Sequence, residues 1–248
     1  PEQDGLYQMS ASVSWLRVFD GESLELLEEF WEQGSVLLTG GKTYYLLAAS
    51  YFGEAARFSV QSGVKAESVE LLQHVASYPA GIPYSPLWGI RAKVTYSDGS
   101  VQEIGELAGS VTDENGNSMT AAVKSEKGET IEPGYGMNGL EEGKYQVELS
   151  LAGCAVSYPL SVEPSADFFT ESLTEGVSEF TMRGMNYYRL ETDAKSWYLN
   201  FSSPVNRYVV DAETGTQCIG GSYSGSDIWD FMEPGKTYYA VFWGSPGE

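Results

Sequence analysis

One glycine string, Gly134-Tyr-Gly-Met-Asn-Gly139, has the spacing that cradles a dinucleotide pyrophosphate. That chemistry needs a strand before the string and a helix N-terminus after it to hold the phosphate. Here Pro133 precedes it and a strand-like segment follows, so it reads as a flexible loop. Asp113-Glu-Asn-Gly-Asn117 offers oxygens suited to calcium, but it lacks the EF-hand loop spacing and the distal bidentate Glu, and is expected to be a hairpin turn. The only histidine, His74, lies in Leu71-Leu-Gln-His-Val75 with no serine or cysteine signature placed to use it, so nucleophilic and general-base catalysis have no starting point. One histidine and two distant cysteines, Cys154 and Cys218, cannot close a zinc site. Paired carboxylates of the glycosidase kind meet only in a fold, and thirty-five acidic residues give no basis for choosing a pair. The expectation is a chain with no catalytic residue, no metal and no cofactor.

Aromatic residues are the one surplus, with six Trp and seventeen Tyr. An internal duplication helps to sort them. Gly-Lys-Thr-Tyr-Tyr occurs at 41 to 45 and again at 235 to 239, an offset of 194, while an offset of 191 pairs Tyr7 with Tyr198, Ser12 with Ser203, Val18 with Val209 and Asp20 with Asp211. Positions apolar in both copies are expected in a core, whereas a Trp facing a small or polar residue in its twin is expected outside it. Trp197 pairs with Leu6 and reads as core. Trp15 pairs with Asn206, Trp229 with Ser35, Trp243 with Ala49 and Trp31 with Gly225. Those four are the candidate ligand-binding rings, suited to stacking on sugar faces or to burial against an adjacent module. Trp88 reads as structural.

The elements that carry these residues are strands. Tyr145, Val147, Leu149 and Leu151 alternate with polar residues, and Cys154, Val156, Tyr158, Leu160 and Val162 share one phase. Arg91 to Tyr96 and Val101 to Ile104 flank an Asp98-Gly99 turn, and Asn115-Gly116 marks a second hairpin. Ser23 to Trp31 fits an amphipathic helix, but its twin around Thr214 to Gly221 is too rich in Gly for one. Two strands, Trp15 to Asp20 and Leu24 to Phe30, are therefore expected around a turn at Gly21. With helical periodicity scarce, the fold class is all-β, built of tandem β-sandwich modules. The divisions are a partial module at 1–63, a different one at 64–164, and a second partial copy at 165–248.

Composition limits the partners. A net charge of −21 and a pI near 4.3 repel nucleic acid and anionic lipid surfaces. The longest apolar run, Tyr44 to Phe52, is too short to span a bilayer, so no membrane insertion is expected of this segment. The chain opens at Pro1 without Met and both copies look incomplete, as a piece of a longer protein would.

Residues 64–164 resemble the bacterial immunoglobulin-like domains of surface proteins. The likeness rests on Val69-Glu-Leu-Leu, Tyr78-Pro-Ala-Gly81, Trp88 to Ser100 with its Tyr-Ser-Asp-Gly end, and Gly143-Lys-Tyr-Gln-Val147. The excursion from Leu107 to Leu140 departs from that pattern. The flanking copies resemble β-sandwich modules at the C-termini of secreted bacterial peptidases, on Tyr187-Tyr-Arg-Leu190, Trp197 to Phe201 and the Gly-x-Thr-Tyr-Tyr strand. These resemblances imply an extracellular or cell-surface bacterial address and a stiff spacer or adhesion rod rather than an enzyme. Its partners would be a glycan, a host or cell-surface protein, or other modules of the parent chain. The alternatives are a carbohydrate-binding module that uses the non-core tryptophans, and an accessory region of a secreted hydrolase. The carbohydrate reading expects Trp229→Ala and Trp243→Ala to abolish retention on insoluble polysaccharide without unfolding the chain; unchanged retention would sink it.

Overall fold

A computed structural model describes residues 1–12, 15–30, 33–49, 57–107, 109–131, 139–174, 179–182, 184–191, 197–199, 205–215, 217–223, 228–230 and 233–244. Every regular element among them is a strand, apart from one 3-10 turn at Ser165–Asp167. The fold is all-β, with several sheets packed as sandwiches.

The first strands are β1 (Gly5–Ala11), β2 (Trp15–Asp20), β3 (Leu26–Phe30), β4 (Gln33–Leu38), β5 (Tyr44–Ala49) and β6 (Phe58–Ser62). They form two three-stranded sheets, in the orders β4-β1-β6 and β3-β2-β5. Met9, Val18, Val36 and Leu38 meet between these sheets, with Tyr7, Phe30 and Tyr44 around them. Leu24 takes a left-handed φ of 59° in the turn, so the strand starts at Leu26 and the helical alternative is not adopted.

Next come β7 (Ala66–Gln73), β8 (Ser77–Pro79), β9 (Arg91–Tyr96), β10 (Val101–Leu107), β11 (Ser110–Val111), β12 (Thr120–Ser125), β13 (Thr130–Ile131), β14 (Gly143–Leu151) and β15 (Cys154–Glu163). Their sheets run β11-β10-β9-β7 and β13-β12-β14-β15-β8, all antiparallel except for β15 with β8. The expected hairpins form: β9 and β10 pair around Gly99, and Thr112 bridges Ser118 around Gly116. Alternation puts Ala92, Val94 and Tyr96 of β9 in one core with Val147, Leu149, Leu151, Tyr158, Leu160 and Val162. Removing each Val or Leu side chain among them from water stabilises the fold by about 1.5–3 kcal/mol.

The last strands are β16 (Ser172–Leu173), β17 (Met185–Glu191), β18 (Trp197–Leu199), β19 (Val205–Asp211), β20 (Gln217–Tyr223), β21 (Ile228–Asp230) and β22 (Thr237–Trp243). One sheet is ordered β16-β17-β22-β19-β20 and the other pairs β18 with β21.

The duplication seen in the sequence is a duplication of register. Trp15 faces Ala49 and Asp20 faces Tyr44, while Asn206 faces Trp243 and Asp211 faces Tyr238. The β2–β3 hairpin is irregular between Val18 and Phe19, and the β19–β20 hairpin between Val209 and Val210. Side chains repeat as well. Asp20 Oδ1 accepts the amides of Glu22 and Ser23, each at 2.9 Å, and Asp211 Oδ1 those of Glu213 and Thr214, each at 2.9 Å. Gly41 and Gly235 both have positive φ, and the Thr43 and Thr237 carbonyls accept the Gly21 and Ala212 amides. The Tyr44 and Tyr238 hydroxyls accept the amides of Thr39 and Glu233. Lys42 lowers the pKa of Asp20 through its charge, and Lys236 Nζ lies 3.5 Å from Asp211 Oδ2. The five repeated residues are thus a clamp that ties one turn to the neighbouring strand.

Both carboxyls are held below the usual carboxylate range, Asp20 chiefly by the Ser23 amide and Asp211 chiefly by the Thr214 amide. A carboxyl with a lowered folded pKa stabilises the fold above its unfolded value of about 3.9, and that contribution is lost as pH falls through the folded pKa. Asp20→Ala and Asp211→Ala should each melt below the parent at neutral pH, and the gap should shrink as pH falls below the unfolded carboxyl value of about 3.9 and on through the lowered folded pKa. Thermal unfolding followed by circular dichroism from neutral pH downward checks this; a gap independent of pH would show that the carboxylate charge contributes nothing.

Candidate functional site

The groups best equipped for chemistry are occupied with structure. His74 is exposed at the end of β7 and packs against Tyr158, with ring centroids 4.4 Å apart. Asp113, the residue best placed for calcium by sequence, is buried. It accepts the Tyr96 hydroxyl at 2.6 Å, the Asn117 backbone amide at 2.8 Å and the Asn117 side-chain amide at 2.7 Å. Those three donors engage both carboxylate oxygens and hold the hairpin closed. Burial, with Asp113 as hydrogen-bond acceptor, raises the Tyr96 phenol far above its ordinary range. Burial likewise pushes the Tyr158 phenol up to about 12 and raises Tyr84, whose hydroxyl lies 3.3 Å away. At neutral pH both phenols are protonated, so neither is a base or a nucleophile.

Cys154 is a free, half-buried thiol on the inward phase of β15, 3.7 Å from the Glu67 carbonyl. Cys218 lies on β20, where the structure describes only the backbone. Residues 134–138 of the glycine string fall outside the described residues. Gly139 packs so closely that a Cβ there would stand 2.2 Å from the Ile82 carbonyl oxygen, which gives this glycine a packing role.

The two candidate tryptophans with described side chains, Trp15 and Trp243, lie in different sheets. Trp15 is half-buried on the outer face of β2, and the Arg17 guanidinium lies over its ring, 4.0 Å from the centroid. Arg17 is also paired with Glu29 across the β2–β3 hairpin, so a sugar would have to displace a held cation to reach the indole. Trp31 lies outside the described residues. Trp229 is described by its backbone alone. With Tyr198 placed on Tyr7, strand pairing sets Trp229 level with Val36 rather than Ser35, and Val36 is a core position.

The sequence leaves two roles open to Trp243, a platform for a sugar face or burial against an adjacent module. It is 3% exposed and stacks on Trp88 of the middle strands, with centroids 4.1 Å apart and planes 21° from parallel. Stacking on a sugar is closed to this ring because another indole occupies its face. Comparing twins assumes that both copies meet the same surroundings, but the outer face of β22 is covered by the middle strands and that of β5 is open.

That junction is the most developed surface of the chain. Phe169 stacks on Tyr239 at 3.9 Å and 7°, and Tyr187 meets Tyr78, Phe168 and Phe169 edge-on. Gly89 and Gly184, both at positive φ, let the two backbones approach: a Cβ on Gly89 would lie 3.4 Å from the Gly184 carbonyl. The Gln73 side-chain amide donates to the Gly89 carbonyl at 2.9 Å. A second, more polar junction joins β1 and β4 to the 113–117 hairpin. Gln8 donates to the Asn115 carbonyl, Ser35 donates to the Asn117 side chain, and Leu37 packs on Gly153.

Sequence reasoning missed the pairing of Trp88 with Trp243, although a signal was present. Tyr238 to Trp243 is apolar on both alternation phases, the mark of a strand covered on both faces. No protein-family model matches the chain, and no curated protein matches it.

Among the described residues no three metal-ligating side chains cluster. The arrangement is suited to packing one β-sandwich on another through aromatic rings. Trp243→Ala should therefore cost stability, about 3–5 kcal/mol for a buried Trp cut to Ala, with a smaller loss for Trp243→Phe. Denaturant unfolding checks this; an unchanged midpoint would remove the indole from the junction.

Proposed function

We propose that this chain is a non-catalytic, modular segment of a bacterial cell-surface or secreted protein, a stiff β-rod that spaces or displays other parts. The observation that carries the reading is the strand pairing, which among the described residues closes within 5–62, 66–163 and 172–243. The largest buried cluster then runs from the middle strands into Tyr208, Val210, Val241 and Trp243, so neighbouring units share a packed junction. The two junctions support stiffness, because stacked rings and interlocked glycines resist bending where a bare linker would not.

The resemblance of residues 64–164 to bacterial immunoglobulin-like domains supports the cell-surface address and the spacer role. A charge of −21 keeps such a segment soluble and away from anionic surfaces. Of the candidate indoles with described side chains, Trp243 is occupied by Trp88 and Trp15 is covered by Arg17.

Small-angle X-ray scattering tests the rod. The pair-distance distribution should be skewed with a long tail and should keep its maximum dimension from low to high salt. In the Trp88→Ala variant the tail should broaden while the far-ultraviolet circular dichroism keeps its β character. A symmetric, compact distribution would overturn the spacer reading.

A further inference from the structure

Where the chain enters and leaves the middle strands fixes how a pull would act on them. It enters at Ala66, whose amide donates to the Ala152 carbonyl at 3.1 Å, just before β15 begins. It leaves at Glu163, the last residue of β15. Entry and exit therefore lie at opposite ends of the sandwich, separated by the length of β15, about 30 Å for its ten residues. The first unit is wired differently. There β1 and β6 are antiparallel neighbours with Tyr7 opposite Ser62, so the chain comes in at Gly5 and goes out at Ser62 on the same end.

That wiring decides which bonds carry load. Tension between Lys65 and Pro164 draws β7 and β8 one way and β15 the other, along their own axes. β8 runs parallel to the end of β15, with Ser77 beside Ser161 and Pro79 beside Glu163, and β7 is held from Ala66 to Gln73 by β9 of the facing sheet. The Ser161 amide donates to the Ala76 carbonyl at 2.9 Å, and the Ala80 amide to the Glu163 carbonyl at 2.8 Å. Ladder bonds lie across their strands, so a pull along the strands strains the whole row at once. Sliding would also drag Tyr78 from its place: it is fully buried, its ring lies 4.7 Å from that of Tyr84, and its hydroxyl donates to the Pro83 carbonyl at 2.7 Å. Ser165 Oγ donates to the Ala80 carbonyl, which ties the exit segment to β8 as well. In the first unit the same tension acts across one end of the β1–β6 ladder and parts it pair by pair from Tyr7 and Ser62.

We propose that the middle strands bear tension: β7 and β8, locked on β9 and β15, are a shear clamp that lets the segment transmit a pull along the chain while staying folded. The spacer reading concerns resistance to bending, which the stacked junctions supply; the clamp concerns resistance to stretching, which they do not. The two are separable, since a compact chain could hold the clamp and a long rod could lack it. Resistance to a pull is a matter of unfolding rate rather than of equilibrium stability, and that rate is slow where many bonds must break together.

The test stretches the full chain between peptide-tag handles at its two ends in a single-molecule force spectrometer. The releases identify themselves by length: roughly 300 Å for residues 66–163 once the folded span is subtracted, and roughly 200 Å for residues 5–62. The long release should come at the higher force. Ser161→Pro removes the amide that holds Ala76 and should lower the force of the long release alone, with the far-ultraviolet circular dichroism unchanged. Pro159, two residues earlier on the same edge of β15, shows that this edge accepts a proline. A long release at or below the force of the short one would overturn the clamp, whether or not the variant folds. So would a folded Ser161→Pro chain that keeps the parental force. A compact scattering profile would remove the rod and leave these forces standing, so the two readings fail separately.

Discussion

Two backbone amides donated to one aspartate carboxylate, at Asp20 and again at Asp211, fix the geometry on which both outer sandwiches depend. The bonds shape a turn in which Asp20 and Asp211 still pair with their neighbouring strands, so that the Thr43 and Thr237 carbonyls can accept the amides of Gly21 and Ala212. A lysine directly after a left-handed glycine then stands near the carboxylate, and a tyrosine hydroxyl takes the amide that opens the loop. Once that corner is set, strand register follows without further instruction, because a slip of one residue would turn every apolar side chain of β2 or β19 to the opposite face. The five identical residues are the part of the module least free to vary.

Given one register, the two copies differ in what lies outside the sheet. The outer phase of β22, Tyr239, Val241 and Trp243, is covered by Phe169, Trp88 and their neighbours. The outer phase of the β2–β5 pair carries Trp15, Arg17, Tyr45 and Leu47, and there a cation and its carboxylate partner take the place of a neighbouring core. The indole even changes strand. Trp15 faces Ala49 in one copy and Asn206 faces Trp243 in the other, so each sheet places one large ring at the same point on its surface, from opposite members of a cross-strand pair.

Much of the fold was legible because local rules and the duplication agreed. The alternation of β14 and β15, the Asp98-Gly99 turn and the glycine-rich twin of Ser23 to Trp31 each named an element that formed. The candidate site was less legible, for three separate reasons. For Trp243 a comparison of copies leaves a sugar face and an adjacent module as alternatives, because burial depends on which module lies alongside. Trp229 was matched to Ser35 because the sequence offset changes across a loop of unequal length, and only strand pairing shows that the match drifts to Val36 by β21. Trp15 is half-buried, and the guanidinium above it comes from Arg17, two positions along the same strand face, a contact set by side-chain reach rather than residue type.

The pairing of β17 with β22 also has a consequence for the order in which the chain is made. Glu191 is synthesised 46 residues before its partner Thr237, an interval of roughly two to nine seconds at about 5–20 residues per second. Strand pairing is far faster than that, with hairpins closing in about 1–10 μs. Throughout that interval β17 is complete and its own edge does not exist, whereas β5, with the same register and the same exposed phase, was finished over a hundred residues earlier. Among the described residues, the β2–β5 sheet of the first copy is the sheet of matching register already made when β17 emerges, and the partner β22 follows it.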